Sequence, residues 1–162
     1  MSRKGFDSSA GGGPSPILND GRIFSLPIPQ KEKSPFRYSD LKFDEFNGED
    51  FIKKIKCSVS SETYCHFDPR LDQEIGVFGQ ANAAQTELKN RNIQIGDLFL
   101  FFGWFKNFSR FGRDLHHIFG WLQINKIIEG EKKIKNFLLE NNLQHPHGCL
   151  LYTSDAADDD AC

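Results

Sequence analysis

The stretch that most constrains this chain is Gly96 to Ile124. Gly96-Asp97 is a turn pair, and Leu98-Phe99-Leu100-Phe101-Phe102 is an unbroken apolar run of strand length. A run without polar alternation predicts a strand covered on both faces. Gly103 is expected to break it, with Trp104-Phe105 following. A loop of mixed basic and aromatic residues, Lys106 to Arg113, then leads to a second strand over His117 to Ile124. The two together predict a buried β-hairpin carrying both tryptophans. Alternation in the second strand assigns Phe119, Trp121 and Gln123 to one face and Ile118, Leu122 and Ile124 to the other.

The rest of the chain is less regular. Residues 1–35 are rich in Gly, Ser and Pro, yet Ile17, Leu18, Ile23, Phe24, Leu26 and Ile28 recur through them, which favours a pinned, ordered loop over a loose linker. Asn19-Asp20-Gly21-Arg22 is a turn signal and Arg22 to Leu26 a candidate short strand. Asp50 to Ile55 reads as a short helix. Pro69 pushes Asp68 out of the helical region and opens a loop. Gln80 to Asn90 predicts a helix with Ala81, Ala84 and Leu88 towards the core. Glu131 to Asn141 predicts another, with Ile134, Phe137 and Leu138 on one face and Asn142 as its cap.

With 162 residues the chain suffices for one domain with a core, and 16 Phe against 3 Tyr and 2 Trp assign most aromatic residues to packing. No apolar run approaches the roughly 20 residues of a membrane span. The first residues lack the apolar segment of a signal peptide, so a cytoplasmic location is expected. Cys57, Cys65, Cys149 and Cys162 form no CxxC pair, and Cys57 and Cys65 are expected to be free thiols. The segment Cys149 to Asp159, CLLYTSDAADD, reads as an in-frame translation of a sequencing adapter, so residues 149–162 are expected to be an artefact and the native domain to be 1–148, truncated at its C-terminus. Without that tail the acidic count falls from 22 to 18 against 20 basic residues, and formal charge moves from −2 to +2.

Four features bear on chemistry, each beside a plainer explanation. Arg3, Lys4, Ser8 and Ser9 precede three glycines and can wrap an anion, although no Gly-Lys-Ser/Thr follows to make a P-loop. His66-x-Asp68 sets an imidazole and a carboxylate two residues apart, with His116, His145 and His147 able to join them in space for acid–base or metal chemistry. Structural His–Asp hydrogen bonds are commoner, and no metal ligand set is assigned. Phe119, Trp121 and Gln123 suit stacking on a base and hydrogen-bonding its edge, or else are further core with Gln123 satisfied by backbone. The cations of the Lys106–Arg113 loop, interleaved with Phe108 and Phe111, suit phosphate contact and stacking, or an ordinary solvated loop.

The strings SRKGFDSSAGGGPSP, DGRIFSLPIP, HFDP, GVFGQANAAQTEL, GDLFLFFGWF, HHIFGWLQI and HPH, in this order, resemble the nucleotide-modification-associated domain family of the third type, known from bacteria and phages. The resemblance spans Ser2 to His147. It implies a role near modified nucleotides or DNA bases and fixes no reaction. Positions matching the family pattern are Ser2, Arg3, Lys4, Gly5, Asp7, Ser8 and Ser9; His66 and Asp68; Gln80 and Gln85; Asp97, Gly103 and Trp104; His116, Gly120, Trp121 and Gln123; and His145 and His147. The Gly-Asp strand is also loosely similar to PUA-like barrels, which bind modified bases.

The expected fold is α+β, with a mixed, partly barrel-like sheet and a few packed helices. Two functions of different class follow. In the first, an enzyme or enzyme subunit acts on nucleotides or DNA bases: Arg3, Lys4, Asp7, Ser8 and Ser9 form the phosphate loop, and His66, Asp68 and His116 the catalytic set. In the second, a non-catalytic module reads a modified base through Trp104, Trp121 and Gln123. The expected partners are a nucleotide or DNA and, by association, other DNA-modification enzymes, with no membrane; no cofactor is specified.

Overall fold

In the computed structural model the described residues are 1–55, 57, 59–107 and 113–149, with side chains up to His147. The expected adapter tail from Leu150 onward, and Phe108, Arg110 and Phe111 of the basic loop, lie outside them. The chain is α+β. Its main sheet is built on β7 (Leu98–Asn107), which pairs antiparallel with β8 (Leu115–Gln123). Along its other edge β7 takes two short parallel strands, β1 (Ser2–Arg3) and β2 (Ser15–Ile17). The glycine-rich N-terminal stretch is therefore ordered, as its recurring apolar residues predicted. The sheet stays open: among the described residues it does not close into a barrel, because one edge of β7 carries only these two fragments.

Gly103 does not end the first strand. β7 runs through it to Asn107, and a Cβ at Gly103 would stand 2.8 Å from the Lys4 carbonyl oxygen, so glycine lets the N-terminal strand approach. The Lys4 amide donates to the Phe102 carbonyl at 2.9 Å across this contact.

The hairpin is covered on one face only. Phe99, Phe101 and Phe105 are buried, while Leu98, Ile118 and Trp121 are exposed. A β-bulge shifts the register: Phe101 faces Gly120 but Phe102 faces Ile118, leaving Phe119 as the extra residue. The predicted face is thereby split. Phe119 turns inward onto Phe101 and Phe105, and Ile118 turns outward beside Trp121.

Among the described residues there are also two small two-stranded sheets: β3 (Ile28–Pro29) with β6 (Cys65–His66), and β4 (Lys42–Phe43) with β5 (Phe46–Asn47). Arg22 to Leu26 forms no strand; a turn at Gly21 returns the chain to a single bridge between Ile17 and Ile23. Helix α1 spans Gly48–Ile55, α2 Asn82–Asn90, α3 Glu131–Glu140 and α4 Pro146–Cys149. Helix α2 starts two residues later than predicted and lies on the surface, with Ala81 and Ala84 exposed and Leu88 alone of the three packed inward. Helix α3 buries Leu138 and half-buries Ile134 and Phe137 as expected, and is capped by Asn141, with Asn142 left-handed beyond it. No helix among the described residues is long and apolar enough to cross a membrane.

Packing falls into two cores. One gathers Phe6, Leu26, Phe36, Tyr38, Phe51 and Cys65 among others; the second joins Phe99, Phe101 and Ile124 to Leu71, Phe78, Leu122 and neighbours. Phenylalanine supplies most of the ring contacts in both, including Phe51 against Phe24, Phe43 and Phe46. Cys57 and Cys65 are free thiols.

Candidate functional site

Beside Phe78 of the second core, two distant stretches of chain and the two segments flanking Asp68 converge on its carboxylate, which is fully withdrawn from solvent. The first is the end of β1, whose Lys4 ammonium lies 2.8 Å from Asp68 Oδ2 and 4.6 Å from the centre of the Phe78 ring. The second is β6. The Ser34 hydroxyl donates to the Cys65 carbonyl at 2.8 Å and the Tyr38 hydroxyl to that of Pro27 at 2.6 Å, fixing the β3–β6 pair that presents His66. The third is the loop after Asp68, entered through a cis Asp68–Pro69 bond and closed by paired 2.9 Å hydrogen bonds between Arg70 and Val77. That closure brings the Gly79 amide 3.0 Å from Asp68 Oδ1.

The fourth stretch follows α3 and carries His145 and His147. His145 Nε2 lies 3.0 Å from Asp68 Oδ1, and His145 Nδ1 accepts the His147 amide at 3.3 Å, which assigns the ring proton to Nε2. Arg70 pins this segment: its guanidinium lies against both the Phe36 and Phe67 rings, at 4.4 and 4.8 Å, and donates to the Gln144 carbonyl at 3.1 Å and to both oxygens of Asp72. His66 sits edge-on to His147 at 5.0 Å, and His147 stacks with His145 at 5.3 Å. A side chain at Gly79 would force a shift, since a Cβ would overlap the rings of both His145 and His147.

The electrostatics follow from burial. Burial alone would raise the Asp68 carboxyl, but the His145 hydrogen bond and the Lys4 ammonium outweigh it and hold the group at about 2, ionised. Burial lowers His66, against the pull of Asp68, and lowers His147 to about 4, with His145 adding to the shift. His66 Nδ1 lies 3.1 Å from Gln30 Oε1; an acceptor there puts the proton on Nδ1 and leaves Nε2 as a free lone pair. That lone pair faces Asp68 Oδ2 at 3.9 Å, too far for a hydrogen bond. His66, Asp68 and His147 each offer one ligand atom within 4.8 Å of the others, so these three can hold a metal ion. A depression of about 500 Å³ opens beside His66, lined by Ile28, Pro29, Gln30, Lys31 and Glu32. A larger hollow of about 580 Å³ lies at α3 and includes none of these residues.

The predicted His66–Asp68 pair is thus joined by His145 and His147 but not by His116. His116 is exposed on β8, opposite Trp104, because β8 leads away along the far edge of β7. The predicted phosphate loop is divided. Lys4 points inward to Asp68. Asp7 accepts the Ser9 and Ala10 amides and the Ser9 hydroxyl, so the loop's own carboxylate fills the place an anion would take. The first cause holding Asp7 below its usual range is that Ser9 hydroxyl bond, which outweighs the opposing effect of burial. Arg3 lies 3.7 Å from Asp7, half exposed, and Ser8 is exposed. Trp104, Trp121 and Gln123 share the open face of the hairpin, with Phe102 and Ile118 between the tryptophans. Gln123 spends one amide proton on the Gly96 carbonyl at 3.2 Å. Gln30, Gly79 and Arg70 carried no sequence signal of their own.

Fold and site together define an α+β protein built round a buried carboxylate held by lysine and histidine. The chain belongs to the family described as nucleotide modification associated domain 3, whose pattern it matches over residues 1–158. No curated protein and no solved structure matches it.

Proposed function

We propose that this chain is an enzyme or enzyme subunit acting on nucleotides or the bases of DNA, with the Asp68 centre as its reactive site. One observation carries this reading: Lys4, His66, Asp68, His145 and His147 come from three separate stretches to a single centre in which burial lowers His66 and His147. A purely structural His–Asp bond needs one histidine, and His145 already fills that role. His66 and His147 are then left as half-buried imidazoles with ring nitrogens within 4.8 Å of the carboxylate, the supply that proton transfer or coordination requires. Asp68, tied by three donors, is a poor base and serves to hold Lys4 and His145 in place. Arg3 and Ser8, solvent-facing on the loop that carries Lys4, take the phosphate, and Asp7 shapes that loop. His116 has no part in this centre.

The test is a panel of nucleotides and modified DNA, with binding followed by calorimetry and conversion by mass spectrometry of the nucleosides. His66→Ala should abolish conversion while nucleotide affinity stays within about twofold. Unchanged conversion would sink the assignment.

A second reading, a non-catalytic module reading modified bases, draws on the open hairpin face, where Trp121 is 66% exposed. An exposed tryptophan can stack on a base. This reading fails if Trp121→Ala folds normally and keeps its affinity for modified DNA.

A further inference from the structure

We infer that His66 Nε2, Asp68 Oδ2 and a ring nitrogen of His147 form a binding site for one first-row divalent transition-metal ion. Two imidazoles and a carboxylate are the donor set that such ions favour over the hard cations, and three protein donors leave positions open for a substrate atom. The inference deepens the reading of the Asp68 centre as the reactive site.

Three features of the geometry support it. First, His66 Nε2 and Asp68 Oδ2 are both acceptors, yet they face each other at 3.9 Å with no hydrogen between them. A metal ion between them would turn the two lone pairs into ligands, with Lys4 keeping its own bond to the same oxygen. Metal bonds of roughly 2.0–2.2 Å set ligand atoms some 3–4 Å apart, so this pair is already at ligand spacing, and His147 completes the set by closing roughly 1 Å. Second, the outer partners are those of a ligand set. Gln30 holds His66 in the tautomer with Nε2 free, and the His145 ring and the Gly79 amide orient Asp68 through its other oxygen. His145, whose Nε2 proton is spent on Asp68 and whose Nδ1 accepts the His147 amide, is an orienting residue and not a ligand. Third, the site is reachable: the His66 side chain keeps 19% of its surface and lines the adjoining depression. Lys4 donates to the same Asp68 Oδ2 at 2.8 Å, against the Phe78 ring, and so holds the ligand carboxylate in place.

The experiment uses Zn²⁺ or Co²⁺ alone with the full chain stripped by chelator, followed by calorimetry and by the visible absorption of Co²⁺. Wild type should bind one ion per chain with the spectrum of nitrogen and oxygen ligation. His147→Ala and His66→Ala should lose saturable binding. Gln30→Ala, which removes the hydrogen bond to His66 Nδ1, should keep one site and bind roughly 10–100-fold more weakly. Wild-type binding no tighter than that of His66→Ala overturns the inference, as does Gln30→Ala binding as tightly as wild type. The two readings separate cleanly. If no metal binds but His66→Ala still abolishes nucleotide conversion, the metal site is refuted and the reactive centre stands. If metal binds at His66 and His147 but His66→Ala leaves conversion unchanged, the metal site stands and the reactive centre is refuted.

Discussion

Asp68 and His145 are 77 positions apart in the chain and meet through a 3.0 Å contact between Oδ1 and Nε2, with both side chains almost wholly removed from solvent. This contact ties the segment after α3 to the loop that follows β6. Asp68 also accepts from Lys4 and from the Gly79 amide, so its removal strands a buried ammonium, an imidazole N–H and a backbone N–H together. Asp68→Ala is expected to cost about 3–5 kcal/mol, the range for breaking a buried charged pair by deleting one partner. Urea denaturation measures this; a loss below about 1 kcal/mol would mean that the cluster does not hold the two segments.

Acid should destabilise the protein in two steps. His147 titrates at about 4 when folded against an ordinary 6.5, so the unfolded chain takes up the proton first. Its contribution is whole above pH 6.5 and is lost as pH falls through 6.5 towards 4, and His66, also lowered, acts in the same direction. Asp68, lowered from 3.8 to about 2, contributes fully above pH 3.8, and that contribution goes as pH falls towards 2. The groups facing these histidines are His145, Asp68 and Lys4. In the presence of chelator, unfolding free energy should decline from pH 7 to pH 4, and His147→Ala should flatten that decline. An equal slope in the variant would place the titrating groups elsewhere.

The parts of this centre differ in how far they were legible beforehand. His66 and Asp68 stand two residues apart and declare themselves as a pair, but which distant histidine completes them depends on the tertiary path. His116 and His145 look alike in sequence, and only the turn after α3 brings the second to Asp68. Lys4 sits in a loop whose composition suggests an anion, and no local pattern reveals that Asp7 satisfies the loop amides while Lys4 turns inward. In the hairpin, both strands and the Gly96 turn were readable from apolar runs. The bulge at Phe119 was not, since Ile118 to Ile124 alternates without interruption and an extra residue reverses faces without changing composition. Coverage on both faces was also expected, and the run Leu98 to Phe102 gives no hint that one face stays open.

Gly79 is the position where the smallest change should reach the site most directly. A methyl group there would overlap the His147 and His145 rings, and both would have to move. Gly79→Ala is expected to shift the ring-proton NMR signals of His145 and His147 and to abolish conversion, while those of His116 and His117, on β8, stay in place. Unchanged His145 and His147 signals would show that the loop yields instead of the rings.

Arg70 separates charge from shape. Its guanidinium lies against both Phe36 and Phe67 while forking to Asp72 and reaching the Gln144 carbonyl. Lysine keeps the charge but not the planar fork or its flat stacking. Arg70→Lys should therefore cost roughly 1–3 kcal/mol and loosen the segment that carries His145. Hydrogen exchange across residues 143–147 should accelerate relative to α1, whose packing does not involve Arg70. Uniform exchange in both regions would deny Arg70 its role in holding that segment.

The hairpin offers the sharpest contrast between two aromatic residues on neighbouring strands. Phe101 is fully buried and touches the rings of Phe78, Phe99 and Phe119, whereas Trp121 stands on the opposite face, 66% exposed, across from Leu100. Area removed from water sets the cost of truncation. Phe101→Ala should cost about 3–5 kcal/mol, and Trp121→Ala should stay within about 0.5 kcal/mol of wild type. A tryptophan that contributes so little to stability yet occupies a face with Trp104, Phe102 and Ile118 has its surface free for a partner. Denaturation of both variants, paired with modified-DNA binding by Trp121→Ala, distinguishes the alternatives. A large stability loss at Trp121 would show that the open face is covered in solution; a small loss with reduced binding would make the open hairpin face a recognition surface.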